Sequence, residues 1–104
     1  MSEDIEGFQW DKSNSGKSWR RHKVADLEAE EIFFHEPILI FEDTAHSETE
    51  NRYYCLGQTD QARGLFAVFT LRENKIRIIS ARDMNRKEKA IYEKQTQKNP
   101  IVSE

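Results

Sequence analysis

The chain has 104 residues, of which 34% are charged and 37% hydrophobic, so it has room for one domain with a modest core. Its single cysteine, Cys55, excludes an intrachain disulfide and indicates a reducing compartment, and no apolar run is long enough to cross a membrane. The acidic start of the chain does not resemble a signal peptide. We therefore expect a cytoplasmic protein with a single domain over 1–104, a core over about 8–93 and flexible termini.

The formal net charge of −3 conceals a segregated distribution of charge. Residues 12–23 carry five bases and no acid, and residues 24–51 carry nine acids and no lysine or arginine. Residues 72–98 carry nine bases against four acids. If the fold brings the two basic segments together, their field attracts a polyanion. The alternative is that these charges lie on solvated faces and pair with one another.

The first half of the chain predicts a strand, two helices and a second strand. Asp26 is a good N-cap for the second helix, and Pro37 ends that helix. In chain order, the predicted elements are a short strand at 8–10, a polar helix at 12–21, a helix after Asp26 and a strand at 38–41.

The second half predicts three strands and a last helix. The strands at 52–56, 65–71 and 75–81 have short connections and should form an antiparallel meander. Asn85 and Glu88 have the spacing of a capping box, so we predict a helix from about Arg86 to Gln97. The predicted fold class is α+β, in the order β-α-α-β-β-β-β-α. It has a small twisted antiparallel sheet, helices packed on one face, and the other face partly open.

Three groups of residues carry a resemblance to a known family. They are 8–11, 20–24 and 28–33 at the start, 42–48, 52–53 and 56–57 in the middle, and 76–82 with 86–88 and Tyr92 near the end. In this order and spacing, over roughly 8–93, they resemble the BrnT family of toxins. The chain departs from the usual pattern at Lys23, where the family has a glycine, and at Asp26, where it has an aromatic residue.

The resemblance implies a RelE-like fold and a small bacterial endonuclease that cleaves RNA. It implies the toxin half of a type II toxin–antitoxin pair, whose partner BrnA is a DNA-binding ribbon-helix-helix antitoxin that sequesters the toxin. Together the two would repress their own promoter. We expect the toxin to be monomeric alone or dimeric through the antitoxin, with no membrane partner and no cofactor.

RNA cleavage without a metal ion needs a base, an acid and a cation that stabilises the phosphate in the transition state. Arg82 and Arg77 suit phosphate, because the guanidinium fork binds it in a bidentate manner. On an ideal strand they point to opposite faces, so they can share a site only if the strand ends or bulges near Ser80. The alternative for Arg77 is a salt bridge on the sheet surface. Arg82, at the strand end, is expected to matter more to catalysis than to folding.

The polar loop at 42–51 offers candidates for the acid and the base. They are His46 and Glu48, for which the alternative is an exposed and inert position. The candidate RNA contacts are Arg86, Arg21, His22, Lys17 and Arg52, and His22 could instead be a helix C-cap.

Other kinds of site are less well supported by the sequence. One cysteine and three scattered histidines give no zinc spacing, so we predict no metal site. Aromatic side chains such as Tyr53 and Tyr54 could stack on bases, although aromatics in strands are typical of cores. The rival functions are a catalytically silent subunit that binds the antitoxin, and a stand-alone nucleic-acid-binding module.

Overall fold

A four-stranded antiparallel sheet in the order β1-β2-β3-β4 forms the centre of the fold. The computed structural model describes residues 5–46 and 50–97, and the termini that we expect to be flexible lie mostly outside these ranges. The predicted α+β class and order of elements are confirmed. The strands are β1 (Leu39–Glu42), β2 (Arg52–Gln58), β3 (Gly64–Arg72) and β4 (Lys75–Asp83), and the helices are α1 (Lys17–His22), α2 (Asp26–Glu31) and α3 (Arg86–Gln97). Single 3₁₀ turns lie at Ile32–Phe34 and Thr44–His46.

The predicted first strand is reduced to a single parallel bridge between Phe8 and Ile76. The N–H of Gln9 donates to the carbonyl of Ile76 at 2.9 Å, after which the chain turns away. Further along β4, the amide of Asn14 donates to the carbonyl of Ile78 at 2.9 Å. The N-terminal segment therefore hydrogen-bonds to the free edge of β4, which would otherwise expose unpaired backbone groups.

The first helix begins later than the sequence predicts, at Lys17 instead of residue 12. Asp11 accepts the backbone N–H of Ser13 at 2.9 Å, and its own N–H donates to the Asn14 side chain at 2.8 Å. Such local side-chain bonds offer the backbone an alternative to the helix. Residues 12–16 consequently form turns.

Asp26 is the first residue of α2, and the N-cap is Ala25. The Asp26 carboxylate accepts the Gly16 N–H at 3.0 Å and the Ser15 hydroxyl at 2.6 Å. The prediction that Asp26 caps its own helix is therefore wrong, because its carboxylate binds the turn before α1. Glu28 accepts the free N–H of Ala25 at 3.0 Å instead.

Both faces of the sheet carry apolar side chains. On the first face, α1 and α2 cover a buried cluster of which Cys55, Phe69 and Ile78 are the centre. Burial raises the pKa of the Cys55 thiol to about 12. On the second face, Leu56, Met84 and Tyr92 form a smaller cluster with Leu39, Phe41 and Phe66.

The expected packing of the helices on one face therefore holds for α1 and α2 but not for α3. The apolar end of the second face needs cover, and Tyr92 of α3 provides it. The Tyr92 hydroxyl donates to the carbonyl of Pro37 at 2.6 Å and ties α3 to the segment before β1. None of the described helices has the length and apolar character of a membrane span.

Candidate functional site

A bulge in β4 places the two strand arginines on the same face of the sheet. Val68 pairs with Ser80, but the next residue of β3, Phe69, pairs with Ile78, so Ile79 is an extra residue. An extra residue shifts the alternation of side chains beyond it. Ile78 and Ala81 consequently both point into the first-face core. Arg77 and Arg82 lie on the second face, as the sequence requires if they are to share a site.

Three adjacent rows of side chains run across the middle of the second face, between the Arg72–Lys75 pair and the Gln58–Gly64 pair. Each row joins residues that pair directly in the sheet. From one end to the other, the rows are Arg52–Thr70–Arg77, then Phe41–Tyr54–Val68–Ser80, then Leu39–Leu56–Phe66–Arg82. Arginines therefore lie in the first and third of these rows, with aromatic and small polar side chains between them.

Thr70 lies in the first row, between Arg52 and Arg77. It is 1% exposed, and its hydroxyl has no hydrogen-bond partner among the described residues. An unpaired buried hydroxyl is unfavourable, by about 1–3 kcal/mol. The first row thus has an unused polar atom beside two cations.

Arg77 makes the sheet-surface salt bridge that the sequence leaves open as its alternative. It is 8% exposed, and both of its terminal nitrogens donate to the Asp11 carboxylate at 3.0 Å. It also donates to the side chains of Gln9, at 3.2 Å, and Ser13. These bonds, chiefly that from Arg77, lower the pKa of Asp11 well below its usual range. Arg77 is a fixed charge held by the segment along the β4 edge.

Arg82 is bound on three sides. Its guanidinium donates to both oxygens of Glu88 at 2.9 Å and to the carbonyl of Asp83 at 3.0 Å, and it lies 4.2 Å from the centre of the Phe66 ring. The hydrogen bond with Arg82 lowers the pKa of Glu88 and raises that of Arg82. The Arg82 side chain is nevertheless 35% exposed, against 16% for Glu88, so a ligand can reach it.

The pairing with Glu88 also gives Arg82 a contact at the start of α3. Glu88 accepts the N–H of Asn85 at 2.9 Å and donates its own N–H to the Asn85 side chain at 2.8 Å, which confirms the predicted capping box. Arg82 therefore supports the start of α3. The expectation that Arg82 matters more to catalysis than to folding stays a prediction.

The other candidate residues are spread over the molecule. Arg52 is half-buried in the first row and has a partner within the chain. Lys17, Arg21 and His22 lie on α1, which packs beside β4, and Arg86 is exposed in the first turn of α3. His46 ends a 3₁₀ turn, but its side chain lies outside the described part of the chain, as does Glu48.

Arg63 is a residue that sequence reasoning missed. Its guanidinium donates to Asp83 at 2.6 Å, to Glu28 at 3.2 Å and to the carbonyl of Lys23 at 3.0 Å. It therefore joins the start of β3 to the end of β4 and to both first-face helices. The hydrogen bond with Arg63 lowers the pKa of Asp83. The available signal was that Arg63 is the only base between residues 53 and 71.

Lys23 adopts the left-handed backbone conformation, with φ 58° and ψ 38°. Its N–H donates to the carbonyl of Trp19 at 3.0 Å and ends α1. A glycine reaches this conformation without steric penalty, whereas a side chain makes it less favourable. The departure at Lys23 is accommodated with backbone strain next to His22.

The described residues contain no group of three or more histidine, cysteine or acidic side chains that could hold a metal ion. The arginines of the second face can bind anions and stabilise their charge.

Comparison with known families gives a match over most of the chain. The family model described as the ribonuclease toxin BrnT of type II toxin–antitoxin systems matches residues 10–88. This range contains the bulge, the three arginines Arg52, Arg77 and Arg82, and the capping box of α3. No curated protein matches the chain at a significant level. The predicted resemblance is confirmed, and the chain belongs to the BrnT family of ribonuclease toxins of type II toxin–antitoxin systems.

Proposed function

We propose that this toxin is a cytoplasmic endonuclease that cleaves RNA without a metal ion, on the second face of its sheet. The observation that carries the proposal is the bulge at Ile79, which brings Arg77 and Arg82 to the face that already holds Arg52. Three cations on one face of a ribonuclease toxin can bind successive phosphates of a single strand.

Arg82 is the residue to which we assign the scissile phosphate. Glu88 and Phe66 hold its guanidinium in place, so little conformational entropy is lost when a phosphate binds. Its exposed N–H groups would stabilise the charge that develops on the phosphate oxygens. Arg77, which Asp11 holds in place, would position the RNA strand through its positive charge.

His46 and Glu48 remain our candidates for the acid and the base. The loop that carries them leaves the sheet at Asp43 and returns at Arg52, and the N–H of Asp43 donates to the carbonyl of Arg52 at 2.8 Å. This bond anchors both ends of the loop at the first row of the second face. A histidine and a carboxylate are side-chain types that serve as acid and base in proton transfer.

We further propose that a BrnA-type ribbon-helix-helix antitoxin neutralises the toxin and represses the shared promoter with it. The fold would be RelE-like, and the toxin monomeric alone or dimeric through the antitoxin. Segregated charge on the chain supports a partner with a complementary pattern.

A catalytically silent subunit is the second candidate, and the ion pairs favour it. Arg77 and Arg82 both have carboxylate partners within the chain, Asp11 and Glu88. A phosphate must compete with these carboxylates for the arginines. A silent subunit binds no RNA phosphate, so these ion pairs could stay intact in it. Its role would be to bind the antitoxin and contribute to repression.

Expression of the toxin alone in a bacterial host separates the two candidates. The endonuclease predicts growth arrest and degradation of cellular RNA with the wild-type chain, and much weaker effects with Arg82→Ala. Normal growth with confirmed soluble wild-type protein would contradict the endonuclease and support the silent subunit.

A further inference from the structure

A groove between α3 and the second face has an aromatic floor. Phe41, Tyr54 and Phe66 lie side by side on β1, β2 and β3, with ring centres 5.2 Å apart for the first pair and 5.7 Å for the second. The planes of Phe41 and Tyr54 are inclined by only 25°, so these two rings are stacked. This floor belongs to the second and third rows, next to Arg82.

The chain itself does not fill this groove. A cavity of about 320 Å³ lies above the rings, with Asn85, Lys87 and Ile91 along its α3 side. Ile91 is 38% exposed, an unusual position for an isoleucine beside an apolar cluster. Packing of the sheet against α3 therefore leaves room for one flat group.

We propose that the groove binds one unpaired base of the RNA substrate against the ring edges of Tyr54 and Phe41, while the adjoining phosphate lies at Arg82. The proposal rests on the function proposed above and adds the site that positions the strand. Phe41 and Tyr54 stack on each other, and the Arg82 guanidinium lies over Phe66, so the base would meet the edges of the first two rings. Edge-to-face contact is a favourable arrangement of aromatic groups. Aromatic platforms of this kind accept any base, because every base has a π-face.

The charge and size of the groove favour a nucleotide over a helix of a partner protein. Lys87 lies in its lining, and the only acid among the described residues that line it, Glu88, pairs with the neighbouring Arg82. The cavity is near the lower end of the roughly 300–1,000 Å³ range of small-ligand pockets. A helix in a groove would need a longer apolar surface with several anchor positions.

Binding of a short single-stranded oligonucleotide with 2′-O-methyl groups tests this assignment, because such RNA cannot be cleaved through its 2′-oxygen. An abasic residue is placed at each position in turn, and the affinity is measured for wild type, Tyr54→Leu and Tyr54→Phe. We expect one abasic position to weaken wild-type binding by up to about tenfold, since an edge-to-face aromatic contact contributes up to that factor. Tyr54→Leu should bind the intact oligonucleotide more weakly by a similar factor, and an abasic residue at that position should weaken its binding no further. Tyr54→Phe should behave like wild type.

A second pair of variants keeps the test decisive if Tyr54→Leu does not fold. Ile91→Trp fills the groove from the exposed side of α3, and Ile91→Ala leaves it open. The first should abolish the effect of the abasic position, and the second should preserve it.

Three results would overturn the base site. One is that, at every position, the abasic residue weakens the binding of Tyr54→Leu or Ile91→Trp by the same factor as it weakens the binding of wild type. Another is that these variants bind RNA normally but no longer bind the antitoxin, which would make the groove a protein-docking site. The third is that the wild type cleaves RNA but no abasic position matters, in which case the proposed endonuclease stands without this site. If the wild type neither binds nor cleaves RNA, the endonuclease itself fails.

Discussion

Arg82 shows how one residue can serve both the fold and the site. Its guanidinium bonds to Glu88, a member of the capping box of α3, while its side chain remains 35% exposed. Sequence reasoning found Arg82 from its place at a strand end. It could not find the pairing, because the distance between Arg82 and Glu88 depends on how the chain turns between β4 and α3. Arg63 escaped notice for the same reason, since all its partners are distant in sequence.

The pair of Arg82 and Glu88 predicts how stability depends on pH. The pKa of Glu88 is lowered in the folded chain by its hydrogen bond with Arg82, from an ordinary value of 4.5. The stabilisation is therefore present above about pH 4.5 and is lost as the pH falls through the lowered pKa. Urea denaturation across this range should show a steeper loss of stability in wild type than in Glu88→Gln. Parallel curves for the two proteins would show that the pair does not stabilise the fold.

The strained backbone at Lys23 predicts a stabilising substitution. With φ 58°, Lys23→Gly should raise the free energy of unfolding by about 0.5–1 kcal/mol, because glycine adopts this conformation readily. The change also removes the contact of the lysine ammonium with the Trp19 ring, 5.3 Å from its centre. Lys23→Ala loses that contact and keeps the strain, so it should be no more stable than wild type. Thermal unfolding of both variants decides whether the strain is real.

At the scale of elements, local sequence signals were sufficient to predict the meander and α3. They were insufficient to predict the bonds along the edge of β4. The capping box predicted the bounds of α3 correctly, since both of its bonds lie within four residues. The bulge at Ile79 could not be predicted, because it depends on pairing with β3. Counting alternation along an unbroken strand assigns Arg77 and Arg82 to opposite faces, which is wrong for this reason.

The segment along the β4 edge depends on Asn14, which is 5% exposed. Its side-chain amide donates to the carbonyls of Gln9 and Ile78 at 3.0 and 2.9 Å. Asn14→Ala leaves buried carbonyls without a donor, so we expect a loss of about 1–3 kcal/mol of stability. The backbone N–H groups of Gln9 and Ile76 donate across this edge to the carbonyls of Ile76 and Gly7, and both should exchange hydrogen faster in the variant.

Lys12→Ala, at an exposed position of the same segment, is the matched control. If Asn14→Ala unfolds at the same denaturant concentration as Lys12→Ala, then Asn14 does not hold this segment, and the placement of Arg77 through Asp11 needs another explanation.

At the scale of the whole molecule, the two faces of the sheet have different roles. Helices α1 and α2 seal the first face, and α3 covers only the apolar end of the second. The sequence predicted the class, the order of elements and the family from patterns along the chain. It did not predict the arrangement of α3, because a side chain's face depends on the register of the whole sheet.

The most direct test of the account is cleavage of single-stranded RNA by the purified toxin in excess EDTA. We expect the wild type and Lys94→Ala, an exposed position on α3, to cleave at similar rates. Arg82→Ala should lose roughly a hundredfold or more in rate, and Arg82→Lys should recover part of it, because lysine keeps the charge and lacks the guanidinium fork. Both variants should remain folded at the assay temperature, as circular dichroism can check. Activity that disappears in EDTA and returns with magnesium, or a folded Arg82→Ala that cleaves at the wild-type rate, would contradict the account.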